Sequence, residues 1–152
     1  MSVGPFNVYS EALEALIRAE LGDLTSQTMS AVLLSAAHTP DLEAHATFAD
    51  VSADEIVGGD YARQMLSGLA LADTTGGGQW DSADVSFGNP VTIPACKYLV
   101  FVVGAPGALA GTSKLLGIVD LDTASGAATV FSINAEFTVQ APVGGWFSLT
   151  RQ

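Results

Sequence analysis

His38 and His45 stand seven residues apart in HTPDLEAHATFADVSADEI, a segment that also carries Asp41, Glu43, Asp50, Asp54 and Glu55. Imidazole and carboxylate donors together are the residue types of a mixed-ligand transition-metal site. On a helix this spacing would place both histidines on one face. Pro40 and the lack of a sustained apolar period predict a loop instead. The H-E-x-x-H pattern of helical zinc sites is absent. The expectation is therefore histidines that pack a loop or face solvent, with no metal and no cofactor.

The other chemistry-bearing residues are equally dispersed. Asp120 and Asp122 are two apart, hence on one face of a strand. Asp81 and Asp84 flank a turn. Neither pair sits in the Asp-x-Asp-x-Asp-Gly spacing of a calcium loop, and both read as decoration of strand ends. There is no G-x-S-x-G nucleophile elbow. Gly76, Gly77 and Gly78 lack the Lys-Ser and the strand-to-helix context of a phosphate loop, and read as a hairpin turn. Cys96 is the single cysteine and borders the apolar run YLVFVV, which predicts a buried, inert thiol. Trp80 and Trp146 each follow a glycine run. They serve either as binding anchors or as caps on the ends of a core. No catalytic constellation is expected.

The 152 residues suit one domain, with 1–24 as an N-terminal arm and helix and 28–152 as a β domain. Hydrophobic residues make up 49% and charged residues 14%, which argues against disorder and predicts a surface rich in small neutral side chains. The net charge of −11 combines with scattered Arg18, Arg63, Lys97, Lys114 and Arg151. No clustered cations are present to replace the counterions of a nucleic acid or to hold an anionic membrane. The N-terminus lacks a signal-peptide pattern. Gly104, Pro106 and Gly107 interrupt the longest apolar region before the ~20 residues of a membrane helix. The expectation is a soluble protein made in the cytoplasm.

These residues must be positioned by elements that the patterning outlines. Leu13, Leu16, Ile17, Leu21 and Leu24 form one apolar stripe and predict an amphipathic helix over 9–24, ended by Gly22. Met29–Ala37 predicts a buried strand. Ser52 and Glu55 have the spacing of a capping box, predicting one helical turn before Gly58-Gly59. Strands are expected at 61–73 and 80–87 around the glycine turn, then at 96–103 and 115–121. A hairpin connection at 122–126 should lead into 128–133, followed by strands at 136–139 and 146–150. Roughly seven to nine short strands with turn signals between them indicate a mainly β, antiparallel sandwich or jelly-roll-like domain with one N-terminal amphipathic helix.

The order of these segments resembles a family of small virion-associated proteins of tailed bacteriophages and prophages. Two segments carry the resemblance: Thr39, Pro40, Asp41, His45, Phe48, Asp50, Val51, Ala53 and Glu55, then Asp81, Ala83, Asp84, Val85, Phe87 and Asn89. It spans about residues 6 to 122. Phe87 stands where the pattern has Trp, and the 104–113 loop is richer in Ala and Gly. The resemblance implies a virion structural protein, synthesised in the host bacterial cytoplasm and resident in the particle.

The expected function is a capsid decoration or cement protein, or the capsid-bound base of a head fibre. Its partners would be the major capsid protein or other virion proteins, and a homotrimer is the expected oligomer. Candidate contacts are Leu13, Leu16 and Ile17 on the helix, Asp41, Glu43, Asp54 and Glu55 on the acidic segment, and Trp80 and Trp146. The acidic residues would either present a contact face or order the loop through backbone N–H bonds. The alternatives are a tail, connector or receptor-binding module with loops 74–80 and 104–113 as its tips, and a carbohydrate-binding sandwich in which Trp80, Trp146 or Tyr61 stacks on sugars. A hydrolase ranks last.

Overall fold

A computed structural model describes residues 3–124 and 128–151. The chain is mainly β, with 42% strand and 12% helix, and the fold is sandwich-like with antiparallel sheets and one helix near the N-terminus. The strands are β1 (Phe6–Val8), β2 (Met29–Leu34), β3 (Gln64–Met65), β4 (Ala70–Thr74) and β5 (Gly77–Asp81), then β6 (Val85–Cys96), β7 (Tyr98–Val103), β8 (Leu115–Asp120), β9 (Val130–Val139) and β10 (Phe147–Thr150). The helix α1 spans Ser10–Ile17.

One sheet has the order β1-β8-β7-β2-β3, a second β10-β5-β4, and β6 pairs with β9 as a two-stranded ribbon. All six residues of β2 are buried, as befits a central strand covered on both faces. Ala31, Phe101 and Gly117 lie opposite one another across β2, β7 and β8. The small neighbours leave room for the Phe101 ring, and the Phe6 ring fills the space where Gly117 lacks a side chain. Phe101 meets Trp146 edge-on at 4.8 Å and Trp80 at 6.2 Å between centroids, so aromatic contacts join the five-stranded sheet to the three-stranded one.

The helix departs from expectation. It is half the predicted length and buries Ala12 and Ala15, whereas Ile17 is 87% exposed and Leu13 40%. The alanines let α1 approach β8 closely. Ala19 then takes a positive φ of 57°, and the chain leaves the helix before Leu21 and Leu24, which are buried from the following turns. The N-terminal segment is built into the domain rather than forming a free arm. Phe6, Asn7 and Val8 pair with Val119, Ile118 and Gly117.

The strand pairing also differs in detail. The predicted strand at 61–73 breaks at Gly68 (φ 63°) into β3 and β4. Asn89-Pro90 lies inside β6, which accommodates it through several register shifts against β9. Two predicted strands, 128–133 and 136–139, are one bulged strand, β9, with Asn134 at φ 49°. The predicted 122–126 connection lies partly outside the described residues, and β9 pairs with β6 rather than returning along β8. Cys96 is fully buried at the end of β6, and burial pushes its thiol up to about 12. Asp120 accepts from the buried Lys97 Nζ and from the Asp122 backbone N–H, whereas the Asp122 carboxylate accepts the Ala124 N–H, so the two carboxylates do not act as a pair.

Candidate functional site

Cross-strand register builds an exposed apolar trough. Leu71, Trp80 and Phe147 lie side by side across β4, β5 and β10, and Gly78, two residues before Trp80, faces the same way. Gly78 has no side chain, so a trough runs over β5. The end of α1 and the turn after it close its other wall with Leu16, Ile17, Asp23 and Leu24. The trough encloses about 400 Å³. Its floor is Trp80, only 1% exposed, whose indole N–H donates to the Leu24 carbonyl at 3.2 Å. Its rim is Ile17, Leu71 (63% exposed) and Leu149 (64% exposed).

Three of the sequence-predicted contacts, Leu16, Ile17 and Trp80, thus meet in one place. Leu13 lies outside the trough, one turn back on the helix. Trp146 does not join it. Its ring is buried against Phe101 and its N–H donates to Ser82 Oγ at 2.8 Å. Both indoles are buried, so neither presents an open stacking face for a sugar, and the half-buried Tyr61 donates its hydroxyl to Glu55. Leu71, Phe147 and Leu149 were not singled out from the sequence, and Gly78, read there as part of a hairpin turn, lies in β5. The only signal is an apolar residue on the solvent side of a short strand, and that side is known only once the strands are paired.

The acidic segment resolves into individual bonds. Asp41 Oδ1 accepts the backbone N–H groups of Glu43 and Ala44, and so turns the chain. The capping box falls on Thr47 and Asp50, whereas the predicted Ser52–Glu55 box does not form. Asp50 Oδ2 accepts the N–H groups of Ala46 and Thr47 at 2.9 and 2.8 Å. Asp54 Oδ2 meets His38 Nδ1 at 2.8 Å. Glu55 accepts Arg63 Nε and Nη2 at 2.8 Å each and the Tyr61 hydroxyl at 2.8 Å. The Arg63 guanidinium lies 4.8 Å over the Phe48 ring and donates to the Pro106 carbonyl. Asp41 and Asp50 therefore order the loop through backbone N–H bonds, and Asp54 and Glu55 are spent on internal pairs. Glu43 is exposed.

These bonds also restrain the 104–113 loop, predicted to be a free tip. Phe48 N–H donates to Ser113 O and Ala49 N–H to Gly111 O. His38 is buried rather than on the surface, with the His45 ring 5.3 Å away.

Hydrogen bonds from the Ala46 and Thr47 backbone hold the Asp50 carboxyl below its usual range. A group lowered on folding stabilises above its unfolded pKa, about 3.9 for Asp, and that contribution is lost as pH falls through the lowered value. The Ala46 and Thr47 amide NMR shifts should stay constant down to about pH 4 and titrate below it. Asp50→Asn should abolish that titration. Inflections at or above the ordinary Asp value would refute the bonding described.

Comparison with protein-family models, with curated proteins and with solved structures finds no match to this chain. Among the described residues, no helix is long and apolar enough to cross a membrane.

Proposed function

We propose that the chain is a structural protein of a tailed-phage particle, a decoration or cement protein that binds the shell through protein–protein contact. The resemblance of residues 39–55 and 81–89 to small virion-associated proteins supports the setting. The apolar trough carries the contact role. Ile17, Leu71 and Leu149 hold large side chains in water around a formed cavity, a cost that burial against a partner would recover. The trough is walled by packed strands and a helix end, so little ordering entropy would be lost on docking.

The test combines location with a blocking substitution. Mass spectrometry of purified particles should find the chain at parity with the major capsid protein or at a simple fraction of it. A few copies per particle would place it in the tail or connector instead, and absence would remove the virion reading. Gly78→Leu should fill the trough while keeping the fold. A Cβ there meets only the Ala72 carbonyl oxygen, at 3.7 Å, and the position has no positive φ. Recombinant Gly78→Leu and Ile17→Asp should each lose at least about tenfold in affinity for stripped particles, the equivalent of 1.4 kcal/mol. Unchanged binding by both would show that the trough is not the contact.

A further inference from the structure

Four buried side-chain polar atoms among the described residues lack a hydrogen-bond partner, and three of them fall in one place: Tyr9 Oη, His38 Nε2 and His45 Nδ1. The rings are in series, Tyr9 to His45 at 6.4 Å and His45 to His38 at 5.3 Å between centroids. Tyr9 is fully buried and His38 is 4% exposed. Buried polar groups are nearly always paired, and each exception calls for an explanation such as a bound species. Three exceptions on adjoining rings call for one common explanation.

The chemistry of the atoms selects the species. His38 Nδ1 faces the Asp54 carboxylate at 2.8 Å, and an ionised carboxylate only accepts. Nδ1 therefore carries the proton, and in the neutral ring Nε2 presents a lone pair. The same holds for His45 Nδ1 when its Nε2 is protonated. Negative charge surrounds the rings. Asp54 lies on one side, and Asp50 acts electrostatically on both Tyr9 and His45. Two imidazole lone pairs in a negative field suit a cation with an affinity for nitrogen.

We propose that His38 and His45 form a binding site for a divalent transition-metal ion of the zinc or cobalt class, with Asp54 as the carboxylate that orients His38. Two imidazoles sharing a tetrahedral ion, with metal–nitrogen bonds of about 2.0–2.1 Å, hold their ring centroids roughly 5 Å apart, which the 5.3 Å separation meets. The carboxylate–histidine–metal relay is the usual way of fixing the tautomer of a ligating imidazole. Among the described residues no group of three His, Cys, Asp or Glu side chains could hold a metal ion, so the two imidazole nitrogens would be the protein's whole contribution to the site. Burial and the nearby Asp50 charge raise the Tyr9 phenol, which stays protonated at neutral pH. Its O–H is suited to hydrogen-bonding a water on the ion rather than to ligating the ion itself.

The test titrates the full metal-free chain with Co²⁺ and then Zn²⁺, reading visible absorption and thermal unfolding. One Co²⁺ per chain with a ligand-field band, displaced by Zn²⁺, and a rise in Tm are expected. His45→Gln should lose at least tenfold in affinity. His45 is only partly buried, so this variant keeps the test valid if His38→Gln fails to fold. Asp54→Asn should weaken binding by about 10–100-fold, the usual effect of removing an orienting carboxylate. Absence of a band and of a Tm shift, or binding that His45→Gln leaves unchanged, would overturn the proposal. So would histidines that take up protons on acidification but bind neither metal.

Discussion

Trp80→Ala should destabilise the chain by about 3–5 kcal/mol, the usual cost of truncating a buried aromatic. The indole sits between the two sheets. It meets Phe101 edge-on at 6.2 Å and Phe147 at 5.6 Å, and its N–H ties β5 to the turn after α1 through the Leu24 carbonyl. Truncation opens a void at the floor of the trough and leaves the Leu24 carbonyl without that donor. Domains of this kind hold only about 5–15 kcal/mol in total, so the loss should be a large fraction of the whole. Trp80→Phe should be milder, because it keeps one ring and loses the N–H bond, worth about 1 kcal/mol, together with the volume of the second ring. Chemical denaturation measures both. A loss under about 1 kcal/mol for Trp80→Ala would mean that the indole does not join the two sheets as described.

Glu55→Ala should cost about 1–3 kcal/mol, because removing one member of a partly buried pair leaves several donors without their acceptor. Two Arg63 nitrogens and the Tyr61 hydroxyl would lose their acceptor together. Arg63 is also the clamp between this loop and its neighbours, through the Phe48 ring and the Pro106 carbonyl. Glu55→Leu combined with Arg63→Met should be milder than Glu55→Ala alone, since no charge is then left behind. A double-mutant cycle in denaturant decides it. A cycle that shows simple additivity would mean that the pair contributes no coupling. Exchange protection of the Phe48 and Ala49 amides should fall with Glu55→Ala, because their acceptors lie on the 104–113 loop that Arg63 anchors.

If the trough is a contact surface, both substitutions reach it differently. Trp80→Ala removes its floor, whereas Glu55→Ala acts on the far loop and should leave trough binding intact in whatever fraction remains folded. That contrast separates lost contact from lost stability.

Several features were legible in the residues themselves. The runs MSAVLL, YLVFVV and LLGIVD are short, apolar and bounded by polar or glycine-rich segments, and they became three adjacent strands of the main sheet. The antiparallel, mainly β class followed from such runs and from the glycine turns, because strand propensity and positive-φ turns are local properties. The ordering of the acidic loop by its own carboxylates was one of two stated readings. It followed from the short reach of Asp to nearby backbone N–H groups, as Asp41 and Asp50 show.

Tertiary structure decided what local pattern does not encode. The leucine stripe on α1 predicted the buried face, yet Ala12 and Ala15 are buried, because a helix lying close on β8 needs small side chains at the contact. Ile17 was thereby left in water. The pairings of β5 with β10 and of β6 with β9 join segments far apart in the chain, and nothing in a strand's own residues names its partner. Both candidate sites depend on such distant neighbours. The trough needs Leu71, Gly78 and Leu149 brought beside Ile17, and the histidine pair needs Tyr9 from the start of the chain packed against His45. Sequence set the local conformations, whereas close packing between distant segments set which side chains meet.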